Sequence, residues 1–143
     1  MRYIMQPNLL ELAAQLSKTY HAGQRYGTED YFNYHITGVV DSLKIHHMPE
    51  KYLIVGYLHD IVEDTEVSLD TVQNLFGEEI KAAVAAITKR ENESRDDYLA
   101  RCSKNPIARF VKLHDALFNA SNCFKNKNKE NFAKYLHTIS KLT

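Results

Sequence analysis

The run Tyr52–Thr65, YLIVGYLHDIVEDT, constrains this chain more than any other stretch. It opens as an apolar helix through Leu53, Ile54, Val55, Tyr57, Leu58, Ile61 and Val62, and it holds no Lys or Arg. Set into it are His59, Asp60, Glu63 and Asp64. Residues three and four apart share a helix face, so Glu63 is expected one turn beyond both His59 and Asp60, and Asp64 one turn beyond Asp60. Three carboxylates and an imidazole then converge on one side of a helix whose other sides are buried. Burying an ionised carboxylate without a partner is expensive, so a cation is required, and the helix supplies none. A divalent metal is one answer. A solvated acidic helix end, with Asp64-Thr65 as its exit, is the other.

Composition excludes several classes. The 143 residues suffice for one domain with one core. The formal net charge is 0 and the pI near 7.1, so no general attraction to nucleic acid or to an anionic membrane is written in. Two cysteines, Cys102 and Cys123, without a CxxC pairing, point to reduced thiols and a cytoplasmic protein. The N-terminal MRYIMQPNLLELAAQL is amphipathic and lacks the core and cleavage site of a signal peptide. No run approaches the roughly 18–20 apolar residues that span a bilayer.

The chain reads as helices on short connectors. Asn8 caps a helix through Leu9, Leu12, Ala13, Leu16 and Tyr20, fading near Gly23. Gly23–Tyr34 reads as a polar, aromatic loop, and a second helix runs from His35 or Ile36 to about His47. Pro49 suits the first turn of the central helix. Leu69–Phe76 is a short helix ended by Gly77, and Glu78–Lys89 follows. Arg90–Arg95 is a solvated connector, Asp96–Lys104 helical, Ile107–Phe124 an amphipathic helix opened by Pro106, and Asn131–Leu142 a closing helix. No strand, repeat or linker is expected. The fold class is all-α, a single-domain helical bundle over residues 1–143.

The histidines differ in prospect. His46, His47 and His137 read as surface residues, and His21 as one that orients the loop after it. His35 opens a helix directly after Tyr31, Phe32 and Tyr34, where an imidazole can be aimed inward. In Ile107–Phe124, Asp115 stands on a face with Ala108, Val111 and Phe118, and Asn119 lies one turn further. Its partner is either Lys112, as an ordinary intrahelical pair, or a metal shared with His35, His59 and Asp60. Two nitrogens and two carboxylates suit Mn²⁺, Fe²⁺ or Zn²⁺.

A His, a separate His-Asp pair and a distant Asp resemble the HD-domain phosphohydrolases. His21–Gln24 (HAGQ), Leu58–Thr65 (LHDIVEDT), Phe76–Ile80 (FGEEI), Ile87–Lys89 (ITK) and Val111–Ser121 (VKLHDALFNAS) are similar, in the same order, to the hydrolase domain of the alarmone synthetase/hydrolases. The likeness runs from about Leu12 to Asn122, with no synthetase segment beside it. It implies an HD-domain helical bundle and a stand-alone small alarmone hydrolase. It implies His35, His59, Asp60 and Asp115 as ligands of one Mn²⁺, with Glu63 and Asp64 acting on the attacking water. Asn119 matches a substrate-contacting asparagine. The implied reaction is release of pyrophosphate from guanosine 3′,5′-bis(diphosphate).

The departures bear on substrate. The family's adjacent Arg-Lys pair at the guanine end is replaced by Gln24-Arg25-Tyr26-Gly27. Arg25 and Tyr26 are expected either to sandwich a base or to be an exposed loop pair. Tyr31-Phe32, Ile36, His114 and Ala116 are further changes, each expected to bear on the base or phosphates accepted. Three functions therefore stand: the guanosine alarmone hydrolase, an HD phosphatase for NADPH or a nucleoside monophosphate, and a non-catalytic nucleotide-binding module. The expected partner is a small nucleotide, without nucleic acid or membrane, and a homo-oligomer is compatible.

Overall fold

The computed structural model describes residues 8–143; the start of the amphipathic N-terminal run, residues 1–7, lies outside them. Asn8 accepts from the backbone N–H groups of Leu10 and Glu11 and opens α1, Leu9–Tyr20. After α1 the chain departs from the expected loop. Arg25–Tyr26 (β1) and Glu29–Asp30 (β2) pair antiparallel, Arg25 opposite Asp30 and Tyr26 opposite Glu29. The turn between them needs positive φ, which Gly27 supplies at 61°. Tyr31–Ile36 then forms a π-helical segment, capped by the Asp30 side chain, that runs into α2, Thr37–Ile45. Such wide turns concentrate at functional sites, and here Tyr31 and His35 face one cavity.

The central helix is also shorter than expected. It runs Glu50–Leu58 as α3, stops at His59 and Asp60, and restarts as the single turn α4, Ile61–Asp64. Asp60 lies at φ −107°, ψ 0°, outside helical geometry. The expectation of one unbroken acidic face across Tyr52–Thr65 is therefore corrected. The break turns His59 and Asp60 toward α8, while the α4 turn sets Glu63 and Asp64 at the surface.

The remaining helices fall close to expectation: α5 Leu69–Phe76, α6 Glu78–Ile87, α7 Arg95–Ser103, α8 Pro106–Lys125 and α9 Lys129–Leu142. Ser68, Ser94, Asn105 and Asn128 cap α5, α7, α8 and α9 with their side chains. The helix α3 is apolar around much of its circumference and is buried among α1, α2, α6 and α8. Leu43, Val55, Leu58, Ile61, Val84, Leu99 and Val111 form the centre of one core. The antiparallel pair α8 and α9 closes the side where Asp115 lies. Among the described residues, no helix is long and apolar enough to cross a membrane. Cys102 and Cys123 are free and buried.

The helices α2 and α3 approach closely at Gly56, where an added Cβ meets Leu43 Cδ1 at 2.9 Å and Val40 Cγ2 at 3.1 Å. Overpacking of this kind costs about 1–3 kcal/mol, partly offset by the roughly 1 kcal/mol that alanine gains over glycine in a helix. Gly56→Ala is expected to lower the urea midpoint at unchanged m-value; an unchanged or raised midpoint refutes the close packing.

Candidate metal centre and active site

Four ligand atoms, one each from His35, His59, Asp60 and Asp115, lie within 4.8 Å of one another. They come from the π-helical segment, the α3–α4 break and α8. His59 Nδ1 lies 2.7 Å from the Gly56 carbonyl. A carbonyl only accepts, so Nδ1 carries a proton and Nε2 is the nitrogen that faces inward. That Nε2 is buried without a hydrogen-bond partner, 3.1 Å from Asp60 Oδ2 and 3.4 Å from Asp115 Oδ1. His35 Nε2 stands 3.0 Å from Asp115 Oδ1 and 3.6 Å from Asp60 Oδ2. An orphaned buried nitrogen among carboxylate oxygens, with a mixed nitrogen and oxygen donor set, fits a divalent transition metal.

The ligands are held from outside. Tyr31 Oη donates to Asp60 Oδ2. Lys112 Nζ donates to Asp115 Oδ2 at 2.9 Å, and Asn119 Nδ2 to Asp115 Oδ1 at 3.3 Å. Such outer contacts fix ligand orientation. The intrahelical pairing of Lys112 and Asp115 is thus present, in the same carboxylate whose other oxygen faces both histidines. Buried His21 binds Gln24 at 2.8 Å, and Gln24 Nε2 donates to the Asp64 carbonyl at 3.1 Å. His21 therefore ties the start of the hairpin to the end of α4.

Electrostatics follow from this crowding. Burial works against charge on His35 and His59, but the Asp115 and Asp60 carboxylates outweigh it and raise both imidazoles above their ordinary range. Asp115 is buried too, yet Lys112 and the two histidines hold it well below the usual carboxylate range. Asp64 is pushed up to about 6 by burial and by the like charges of Asp60 and Glu63. Glu63 is exposed and its Oε1 accepts the Lys89 backbone N–H at 2.6 Å.

The connector Arg90–Arg95 is largely exposed, as expected, with Glu93 and Arg95 partly buried. Arg101 donates to the Ala85 carbonyl at 2.9 Å, to the Thr88 carbonyl at 2.7 Å and to both Glu93 carboxylate oxygens at 2.9 Å. This clamp fixes the segment beside Glu63 and leads into Arg95.

These groups line a polar cavity of about 240 Å³. Its lining combines His35 and the ligand carboxylates with Glu63 and Asp64, and adds Arg95, Lys112, Lys134 and Tyr135. Arg95 donates to Thr138 Oγ1 at 2.7 Å, while its Nε is buried without a partner. Burial and the nearby Arg95 and Lys112 lower the pKa of Lys134. Sequence reasoning missed Arg95, Lys134 and Tyr135. Arg95 sat in a polar run, and Lys134 and Tyr135 in a helix with no marked motif; only the packing of α9 on α8 brings them in.

Arg25 and Tyr26 separate. Tyr26 lines the cavity, donates to Asn119 Oδ1 at 2.7 Å and stacks on His35 with ring centroids 5.1 Å apart. Arg25 is exposed and lies outside the cavity wall. Of the other departures, Ile36 and Ala116 are buried in the interior. His114 is buried against Ser42, His46 and Phe110. Phe32 stacks on Tyr57. None of these four lines the cavity, which corrects the expectation that they bear directly on the base or phosphates accepted. His46, His47 and His137 are exposed.

A family model described as HD domain matches residues 13–106. A protein of Streptomyces coelicolor named GTP pyrophosphokinase is 29% identical over 119 residues, covering 77% of this chain and 14% of that protein. A Synechocystis protein named probable guanosine-3′,5′-bis(diphosphate) 3′-pyrophosphohydrolase is 36% identical over 69 residues, 48% of this chain and 9% of that protein. The chain thus spans only a small part of these relatives' length. A solved structure, described as a metazoan ortholog of SpoT that hydrolyses ppGpp, superposes with a TM-score of 0.79 at 24% identity, covering 98% of this chain and 86% of that one. This likeness establishes the helical fold.

A ligating imidazole nitrogen must be free of its proton, and the carboxylates beside His35 and His59 favour the protonated rings. Mn²⁺ binding is therefore expected to release protons near neutral pH and to strengthen as pH rises. Titration calorimetry in buffers of different ionisation enthalpy reads this directly; a buffer-independent heat at pH 7 contradicts the raised histidine pKa values.

Proposed function

The chain belongs to the HD-domain family, and on that premise we propose that it is a metal-dependent nucleotide phosphohydrolase that releases pyrophosphate from the 3′ oxygen of guanosine 3′,5′-bis(diphosphate). The observation that carries this is one polar cavity in which the ligand cluster, through His35, Asp60 and Asp115, shares a lining with the cations Arg95, Lys112 and Lys134. The names of several relatives support the choice of substrate.

His35, His59, Asp60 and Asp115 are the residues that would hold the cation, Mn²⁺ in this reading, with Fe²⁺ or Zn²⁺ as substitutes. When bound, the cation supplies Lewis acidity toward a phosphoryl oxygen and acidifies water. Glu63 and Asp64 line the same cavity and accept the proton of the attacking water. The Lys89 N–H aims Glu63. Arg95 and Lys134 hold phosphate oxygens and stabilise the charge that accumulates on the leaving pyrophosphate. Lys112 offsets Asp115 and keeps the ligand cluster from repelling an anion. Asn119 and Tyr26 line the cavity as well. We place this chemistry in the cytoplasm, in one HD domain acting on a small nucleotide.

A second reading, hydrolysis of NADPH or a nucleoside monophosphate by the same groups, is favoured by one observation: Arg25 lies outside the cavity, so the basic contact expected at the guanine end is lacking. A product assay on metal-stripped protein reloaded with Mn²⁺ tests both readings, with guanosine and adenosine tetraphosphates, NADPH and monophosphates as the panel. Pyrophosphate from the guanosine compound alone supports the first; inorganic phosphate from NADPH or a monophosphate replaces it with the second. No product from any member, with metal bound, refutes both and leaves a binding module.

Asp60→Ala is expected to lose metal and turnover together. Glu63→Gln is expected to keep metal and lose roughly 10²–10⁴-fold in kcat, the usual range for a general base; unchanged kcat removes Glu63 from the chemistry. A carboxylate acts as base only when deprotonated, so turnover is expected to fall as pH drops below about 6. In Asp64→Asn that acid limb is expected to shift or vanish, and its persistence assigns the limb to another group.

A further inference from the structure

We propose that Tyr26 sets the size of substrate this protein accepts, because its side chain is the partition between the phosphate-holding cavity and a second polar cavity, and turning it out joins the two. The proposal rests on the phosphohydrolase reading of the first cavity. The second cavity is also about 240 Å³ and is lined by Glu29, Tyr34, Asn122, Lys125 and Asn126 together with Tyr26. Tyr26 is the residue common to both.

Size makes the partition matter. Sites that enclose a drug-sized ligand have volumes of about 300–1,000 Å³. Each cavity alone lies below that range, and the two joined enter it. With Tyr26 in place, the first cavity suits a phosphate or pyrophosphate group and leaves no enclosed room for a nucleoside. The chemistry of the second suits the organic part. Tyr34 donates to Asn122 Oδ1 at 2.8 Å, which leaves the Asn122 amide N–H groups for a ligand. Asn126 and Glu29 add further hydrogen-bonding groups and Tyr34 an aromatic surface. A flat heteroaromatic base with donors and acceptors on its edge matches this lining.

Tyr26 is held in place by its hydroxyl, which donates to Asn119, and by four aromatic neighbours, so the open form is the minor one. Its ring stacks on His35, with Tyr34, Phe118 and Tyr31 at ring-centroid distances of 5.5, 5.8 and 6.3 Å. Its backbone belongs to a two-residue strand next to Gly27, whose φ of 61° suits glycine. Turning the ring out uncovers Asn119 Oδ1 on the cavity wall, so the same motion enlarges the site and frees a polar contact. A ligand that needs the open form binds with its apparent affinity reduced by the fraction of molecules that are open.

Tyr26→Ala, Tyr26→Phe and Tyr26→Trp, each loaded with Mn²⁺ and checked for metal content, separate the possibilities by calorimetry with two probes, inorganic pyrophosphate and guanosine 5′-diphosphate. Removing the partition in Tyr26→Ala is expected to lower the nucleotide Kd about tenfold, as for an open form populated near 10%, and to move the pyrophosphate Kd less than about twofold. Tyr26→Phe, which keeps the ring and loses the Asn119 bond, is expected between wild type and Tyr26→Ala. Tyr26→Trp is expected to weaken nucleotide binding and spare pyrophosphate; the Phe and Trp variants still move in opposite directions if Tyr26→Ala fails to fold or to hold metal. Weaker nucleotide binding in Tyr26→Ala, with metal and pyrophosphate binding intact, makes Tyr26 a stacking platform and overturns the proposal. Equal effects on both probes also overturn it. The readout is binding, so wild-type turnover with an unmoved Kd ratio defeats the partition alone, and a moved ratio without turnover defeats the hydrolase reading alone.

Discussion

Two buried carboxylate–imidazole neighbourhoods, made by His35 and His59 with Asp60 and Asp115, are the constraint around which this fold is organised. Ionised groups are costly to bury, and their mutual attraction repays that cost only in good geometry. Here the attraction is shared among four side chains, with Lys112 on the far oxygen of Asp115 and Tyr31 on Asp60. On Asp115 the Lys112 contact leaves Oδ1 facing the histidines, whereas on Asp60 the same Oδ2 takes the Tyr31 hydroxyl and faces them. Among the described residues His59 Nε2 has no hydrogen-bond partner. A divalent cation would engage it, and its binding free energy would then add to the stability of the folded chain.

The backbone irregularities follow from the same constraint. A straight helix through Tyr52–Thr65 would direct His59 and Asp60 at fixed angles and spread Glu63 and Asp64 along the same face. The break at Asp60 uncouples the pairs: His59 and Asp60 turn toward α8, and Glu63 and Asp64 remain at the surface, within reach of water. On the other side the π-helical segment aims His35 inward and carries Tyr31 into the same cavity. Departures from regular geometry cost free energy and persist where surrounding packing over-determines them. The packing available is the dense core of α3 against α1, α2, α6 and α8.

The cavity carries charge of both signs. Acidic groups that suit a cation and basic groups that suit an anion line the same space. That arrangement draws Arg95 and Lys112 from different helices and Lys134 from the closing helix α9. The Arg101–Glu93 clamp has a related task, since it holds the segment that reaches Glu63 through the Lys89 N–H.

Much of this was legible in the residues themselves. Helical periodicity, capping residues and the apolar character of α3 depend on neighbours a few positions away, and so the helices and their ends could be read from local sequence. The His-Asp pair, the acidic pair after it and Asp115 among apolar neighbours announced a compensated charge cluster, because buried carboxylates must have a partner wherever they fall. Whether the helix breaks at Asp60, whether Tyr26 turns inward while Arg25 does not, and which cations share the cavity with the carboxylates were decided only by tertiary structure. Tyr26 meets Asn119, and Arg95 meets Thr138, across long separations in the chain. No local period encodes such meetings; they exist because α8 and α9 pack as they do and because a short hairpin lies across their open side.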